Sequence, residues 1–117
     1  MVKFGELPSF KDPRGTLTVI EKVLPFSIQR VYYIYDTNEL PRGGHQHHIG
    51  QQALICLHKT CVVEVKTDHF HQDFSLCHPH QYLLLEPHEW HSIKFDPGAI
   101  LLVLASTHYN PKNYIHA

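Results

Sequence analysis

The 117-residue sequence predicts an all-β domain, a closed barrel or a double-sheet jelly roll, on three observations. Short apolar or alternating runs of strand length recur along the chain, and turn chemistry separates them at intervals near ten residues. No stretch of about 12 residues holds a helical period. Strands at that spacing, with no helices between them to cover a parallel sheet, must close on themselves or pack sheet on sheet.

Each run has its own warrant. Leu17 to Ile20 follows the turn Asp12-Pro13-Arg14-Gly15, where proline and glycine set the backbone angles a reversal needs. Val31 to Tyr35 is β-branched and aromatic throughout, the composition that fits a pleated, half-buried surface. After the turn Pro41-Arg42-Gly43-Gly44 come Ala53 to Leu57 and Cys61 to Val65, two apolar strands joined through His58-Lys59-Thr60. Lys66-Thr67-Asp68 reverses the chain again, and Tyr82 to Leu85 ends at Glu86-Pro87. Ile93 to Phe95 and Ile100 to Leu104 flank the turn Asp96-Pro97-Gly98. Asn110 to Ala117 reads as a tail lying on the body. With no repeat, linker or low-complexity segment, residues 1–117 read as one domain.

Composition narrows the function classes. Ten Lys and Arg against eleven Asp and Glu leave no basic field, which argues against nucleic acid and an anionic membrane surface as partners. Cys56, Cys61 and Cys77 are odd in number and lie in apolar company, so they build no complete disulfide framework and fit a reducing compartment. The N-terminus lacks the apolar stretch of a signal peptide, and the longest apolar run, Ala99 to Ala105, is far short of the roughly 20 residues that cross a bilayer. A soluble, cytoplasmic protein is expected. The departure from ordinary composition is histidine, 12 in all, whose imidazole titrates near neutral pH.

The densest histidine motif is Arg42-Gly43-Gly44-His45-Gln46-His47-His48. If it is extended, period-2 alternation puts His45 and His47 on one face and Gln46 and His48 on the other. Inside a small barrel that face lines a cavity, where a partly desolvated neutral imidazole serves as general base or metal ligand. The plainer alternative is a chance HxH on a solvated loop. A second cluster, Glu86-Pro87-His88-Glu89-Trp90-His91, makes a strand, turn and strand that can aim His91 into the same cavity, with Trp90 offering a flat face to a base or sugar ring. A further HxH, His69 and His71, has polar neighbours and reads as an exposed hairpin. His78 and His80 flank Pro79 in a loop. Cys56 and Cys61 face each other across the His58-Lys59 turn as small buried thiols.

The HxH followed by a proline-turn histidine resembles the cupin superfamily, a jelly-roll fold whose two motifs converge on one pocket. Metal-binding cupins carry a glutamate four or five residues after the HxH, where this chain has Gln51 and Gln52. No metal is therefore expected, and the site loses the carboxylate that completes a facial iron triad. A narrower resemblance covers nearly the whole chain. The blocks Asp12 to Leu17, Pro25 to Thr37, Arg42 to His47, Pro87 to His91 and Val103 to Ser106 are similar, in order, to the nucleotide-sugar 3,4-ketoisomerases and related WxcM-like cupin domains. The chain departs from that pattern at Gly44, Gln46 and His48, which stand in its aromatic, Ala and Lys places, and at His58-Lys59-Thr60, where a hairpin glycine is usual.

The resemblance implies an isomerase that moves the keto group of a nucleotide-linked 4-keto-6-deoxy sugar from C4 to C3 through an enediol, with no cofactor. It implies His47 as the base at carbon, His45 as its partner for the oxygens, and Tyr33 as donor to the developing oxyanion. Arg14, Arg42 and Arg30 are the implied contacts for the diphosphate, because guanidinium pairs bidentately with phosphate. His91 and Trp90 complete the expected substrate site. It also implies a homodimer with exchanged N-terminal strands. Two other readings compete, a metal-dependent cupin of the dioxygenase kind and a non-catalytic cupin that binds a sugar or nucleotide.

Overall fold

A computed structural model of the protein describes residues 1–116. Its strands are β1 (Lys3–Glu6), β2 (Ser9–Asp12), β3 (Gly15–Thr18), β4 (Arg30–Ile34), β5 (Arg42–His47), β6 (Gln52–His58), β7 (Cys61–Thr67), β8 (Phe70–Leu76), β9 (Gln81–Leu85), β10 (Trp90–Phe95), β11 (Ile100–Ala105) and β12 (Tyr114–His116). They form one sheet in the order β1-β9-β6-β11-β4, a second in the order β12-β5-β10-β7-β8, and a separate hairpin of β2 and β3. Every pairing described is antiparallel. The all-β expectation holds, and the two five-stranded sheets make the jelly roll.

Two apolar clusters explain why some strands alternate and others do not. Between the sheets, Leu54, Leu83, Leu101 and Val103 from the first meet Val63, Val65, Ile93 and Phe95 from the second. On the far face of the first sheet, Ala53, Ile55, Tyr82, Leu84 and Leu104 are covered by Leu7 and by Ile20, Val23, Leu24 and Phe26 of the segment before β4. Strands β6, β9 and β11 are thus buried on both faces, and their sequences are continuous apolar runs. In the second sheet, β7 and β10 have one wetter face and alternate: Cys61, Val63 and Val65 are buried, whereas Val62 and Glu64 are half-exposed.

A bulge shapes the strand that carries the HxH. His91 pairs with His45 but Ser92 pairs with Gly43, so Gly44 is the extra residue. Gly43 and Gly44 have φ of 92° and 75°, the left-handed region open to glycine, and a Cβ on Gly43 would lie 3.0 Å from the carbonyl oxygen of His91. The bulge turns the residues after it toward the barrel interior.

Residues 110–116 lie on the body as ordered structure: Asn110 caps a short 3-10 turn over Pro111–Asn113, and β12 then joins the edge of β5. Ala117 lies outside the described residues. Cys56 and Cys61 are buried and unbridged, with sulfurs 3.0 Å apart, as the hairpin between them requires. No helix among the described residues is long and apolar enough to cross a membrane.

Candidate active site

Alternation along β5 places His45 and His47 on the inward face, and the register of β10 places His91 directly across from His45. The three imidazoles converge, with ring centroids 5.2 Å apart for His45 and His47, 5.0 Å for His45 and His91, and 5.7 Å for His47 and His91. The turn before β10 holds them in place. The buried Glu89 carboxylate accepts the backbone N–H of Glu86 at 2.7 Å and of Val2 at 2.8 Å. His88 adopts a left-handed φ of 65° and donates its backbone N–H to the His47 carbonyl at 2.8 Å. The Nδ1 of His91 lies 3.2 Å from the Glu89 carbonyl oxygen, and since that oxygen only accepts, Nδ1 carries the hydrogen and Nε2 keeps its lone pair.

From the other sheet, β4 contributes Arg30, Tyr32 and Ile34 by the same alternation. With Arg42, His45, Gln52, His91 and Tyr114 they line a cavity of about 210 Å³ floored by Leu54, Ile93, Leu101 and Val103. His47 stands beside this cavity, bordering a smaller one with Arg30 and Tyr114, and its buried Nε2 has no hydrogen-bond partner among the described residues. Burial, followed by the His45 charge and then Arg30, lowers the His47 pKa to about 4. Burial also dominates at His91, lowering its pKa to about 4 with smaller contributions from His45 and His47 against the opposing Glu89 contact. Both rings are therefore neutral near pH 7, the form that accepts a proton.

Burial, aided by Tyr114, raises the Tyr32 pKa and keeps this phenol protonated. Gln52 Nε2 donates to the Tyr32 oxygen at 3.5 Å, which leaves the Tyr32 hydrogen to be donated elsewhere. The Arg30 guanidinium lies 4.3 Å from the Tyr32 ring centroid and 5.0 Å from that of Tyr109, and its Nη1 donates to the Tyr114 oxygen at 3.4 Å. The arrangement offers neutral bases, a neutral O–H donor and fixed positive charge around one small volume, which suits proton transfer at a carbon beside a carbonyl.

The structure brings together five of the residues singled out in the sequence: Arg30, Arg42, His45, His47 and His91. It places three elsewhere. Tyr33 has the opposite parity on β4 and is 64% exposed beside Tyr35. Arg14 sits in the β2–β3 turn, paired with Asp12 at 2.6 Å and otherwise in solvent. Trp90 points out of the barrel into a surface groove with Gln46, its ring under the Lys66 ammonium at 4.8 Å. His45 lines the larger cavity, and His47 lines the smaller one beside it. Tyr32, Gln52 and Tyr114 were not anticipated. The parity of Arg30 with Tyr32 was the available signal for the first. A three-residue strand after a proline turn gave none for Tyr114.

Gln51, in a place where metal-binding relatives of the fold have glutamate, donates instead to Glu86 at 2.7 and 3.0 Å. Glu64, His71 and Asp73, on the outer side of the β7–β8 hairpin, bring three potential ligand atoms within 4.8 Å of one another. His69 lies at that hairpin's exposed turn, and His78 and His80 stack on each other at 5.5 Å in the loop before β9.

Known proteins match the chain along its full length. The family model described as FdtA: WxcM-like, C-terminal matches residues 1–117. A TDP-4-oxo-6-deoxy-alpha-D-glucose-3,4-oxoisomerase of Aneurinibacillus thermoaerophilus is 42% identical over 108 residues, covering 89% of this chain and 78% of that protein. A 3,4-ketoisomerase from Helicobacter canadensis superposes with a TM-score of 0.95 at 36% identity, over 99% of this chain and 90% of that one. The sugar 3,4-ketoisomerase QdtA from Thermoanaerobacterium thermosaccharolyticum, solved in complex with TDP, gives 0.94 at 35% identity, over 99% and 88%. A dTDP-4-dehydrorhamnose 3,5-epimerase from Bacillus anthracis, at 17% identity and a TM-score of 0.82 over 97% of this chain and 76% of that one, shares the fold.

Proposed function

The chain belongs to the FdtA, WxcM-like C-terminal family of cupin-fold domains, and on that footing we propose that it is a 3,4-ketoisomerase of a TDP-linked 4-keto-6-deoxy sugar. The reaction moves one hydrogen from C3 to C4 and one from the C3 oxygen to the C4 oxygen, with no net redox change. A base removes the C3 proton, the electrons form an enediol, and protonation at C4 leaves the new carbonyl at C3. The observation that carries this reading is the convergence of three imidazoles on one another at the wall of a small cavity, two of them held neutral by burial.

In this reading His47, whose buried Nε2 has no partner among the described residues, is the base at carbon, and His45, on the cavity wall, accepts and returns the proton for the oxygens. The hydrogen of Tyr32 and the charge of Arg30 stabilise the enediolate oxygens in place of water. Arg42 at the cavity takes the diphosphate, and His91, with its Nε2 lone pair directed by the Glu89 carbonyl, orients a sugar hydroxyl. Neutral His47 and His91 and the Tyr32 hydroxyl suffice to move the protons in this reading, so turnover is expected to survive exhaustive chelation.

The hairpin bears on assembly. Strands β2 and β3 pair only with each other among the described strands, expose nearly every residue, and leave Phe10 and Leu17 in solvent. A two-stranded hairpin alone is marginal in water. Strand β4 ends the first sheet with an open edge and carries Val31 and Tyr33 on its outer face. These features support a homodimer in which each hairpin crosses onto the partner's β4, carrying Arg14 toward the partner's pocket. The odd count of three cysteines, which builds no complete disulfide framework, supports a reducing cytoplasm.

The test is incubation with TDP-4-keto-6-deoxyglucose in heavy water. The expected result is a 3-keto product with solvent deuterium exchanging at the reacting carbons, lost in His45→Asn and His47→Asn. Absence of both product and exchange with the unaltered protein would overturn the assignment.

A further inference from the structure

We propose that Tyr114 is a positioning residue for the imidazole pair: clamped against β5 through Asn113, its ring fixes the orientations of His45 and His47 while its phenol oxygen fixes Arg30. The inference rests on the proton-transfer reading of the pocket and adds to it a wall built from the C-terminal strand.

The register places the ring. Tyr114 lies directly opposite His47 in the antiparallel pairing of β12 with β5, and opposed residues in such a pair project to the same face. Tyr114 therefore turns inward with the imidazoles. Its ring centroid is 4.6 Å from that of His47 at an interplanar angle of 87°, and 4.9 Å from that of His45 at 60°. The edge-to-face contact with His47 is favoured by the ring quadrupoles, and together with the tilted contact to His45 it packs one ring against both imidazoles. The phenol oxygen accepts the 3.4 Å bond from Arg30, which belongs to the opposite sheet. One side chain thus ties the strand carrying the bases to the strand carrying the cation.

A three-residue strand would fray without an anchor, and Asn113 supplies one. Its amide mimics a backbone unit, with Nδ2 donating to the Ile49 carbonyl at 3.0 Å and Oδ1 accepting the Ile49 N–H at 2.8 Å. Its own carbonyl accepts the His48 N–H at 2.8 Å. Three bonds to the two residues that follow β5 therefore fix the residue preceding Tyr114. Without β12, β5 would be a sheet edge, and water would reach His47, whose other charged or titratable neighbours among the described residues include His45 on its own strand, His91 on β10, Arg30 on β4 and His108 beyond β11.

Three variants test the proposal: Tyr114→Phe, Tyr114→Leu and Asn113→Ala. Each is measured for kcat and KM on TDP-4-keto-6-deoxyglucose, and for histidine side-chain NMR signals and their titration without substrate. Tyr114→Phe keeps the ring but releases Arg30, and is expected to lower kcat by about tenfold, clearly less than Tyr114→Leu, with the His45 and His47 ring signals unmoved. Tyr114→Leu is expected to lower kcat by about 100-fold with KM moved less than about threefold, since misplaced bases affect the reacting geometry more than binding. It also shifts the His45 and His47 ring signals and raises the His47 titration midpoint. Asn113→Ala moves kcat and the signals the same way, to a smaller extent, and keeps the test alive if Tyr114→Leu does not fold. A folded Tyr114→Leu, or Asn113→Ala in its place, with unchanged kcat and unchanged histidine signals overturns the proposal, as does a Tyr114→Phe as slow as Tyr114→Leu. The NMR arm needs no turnover. If the unaltered protein proves inactive on this sugar yet the histidine signals move as expected, the positioning role stands and the isomerase reading falls.

Discussion

His47 and His91 each lie buried against the other and against His45, so a proton on either ring meets missing water and neighbouring positive charge together. Their folded pKa values near 4 lie below the ordinary 6.5, so the unfolded chain binds protons first as pH falls. The stability they govern is flat above about pH 6.5, declines from there to about pH 4, and levels off once both states are protonated. Urea midpoints across that range should show the decline, and His91→Gln should flatten it. The residue scale also shows what parity decides. The HxH motif and the late histidine were legible because a strand alternates strictly and because two motifs aimed at one interior corroborate each other. Tyr33 was matched to a functional place, but the inward face of β4 belongs to Arg30, Tyr32 and Ile34. Tyr32→Phe should therefore lower kcat by about 100-fold, the scale of one lost oxyanion donor. Tyr33→Phe should leave the chemical step unchanged in single-turnover measurements.

Among the elements, the strands buried on both faces were the ones the sequence made plain, since β6, β9 and β11 are unbroken apolar runs. Strands β1, β2 and β12 escaped notice because they are short and mostly exposed or at an edge, and β8 because polar Gln72 interrupts its inward set of Phe70, Phe74 and Leu76. The hairpin β2–β3 is the element whose solvent-facing apolar residues ask for a partner. Leu17→Asp should give a monomer by sedimentation velocity, and a species of unchanged mass would count against the exchanged-hairpin dimer. The β6–β7 turn makes a separate point. Lys59 adopts a left-handed φ of 61°, which a side chain disfavours. Lys59→Gly should raise stability by up to about 1 kcal/mol in urea unfolding, the relief of strain being partly offset by the added freedom of glycine in the unfolded chain.

At the scale of the molecule, the jelly roll was legible from strand spacing and the absence of helical periods, while the second apolar cluster was not. Ile20, Val23, Leu24 and Phe26 lie in irregular chain, and only the assembled fold shows them roofing the outer face of the first sheet. The inner cluster carries most of the large fully buried side chains, and Leu101, wholly buried, spans its middle. Leu101→Ala should cost about 2 to 5 kcal/mol, read from a lowered urea midpoint at unchanged slope. The pocket itself is walled by Arg30, His45, His91 and Tyr114, residues drawn from four strands on both sheets and from nearly the whole length of the chain. A polypeptide emerging from a ribosome therefore holds the two histidines of β5 long before it holds their surroundings. Activity should arrive abruptly, with the last strand, and a nascent chain halted before Tyr114 should be silent however much of its barrel has already closed.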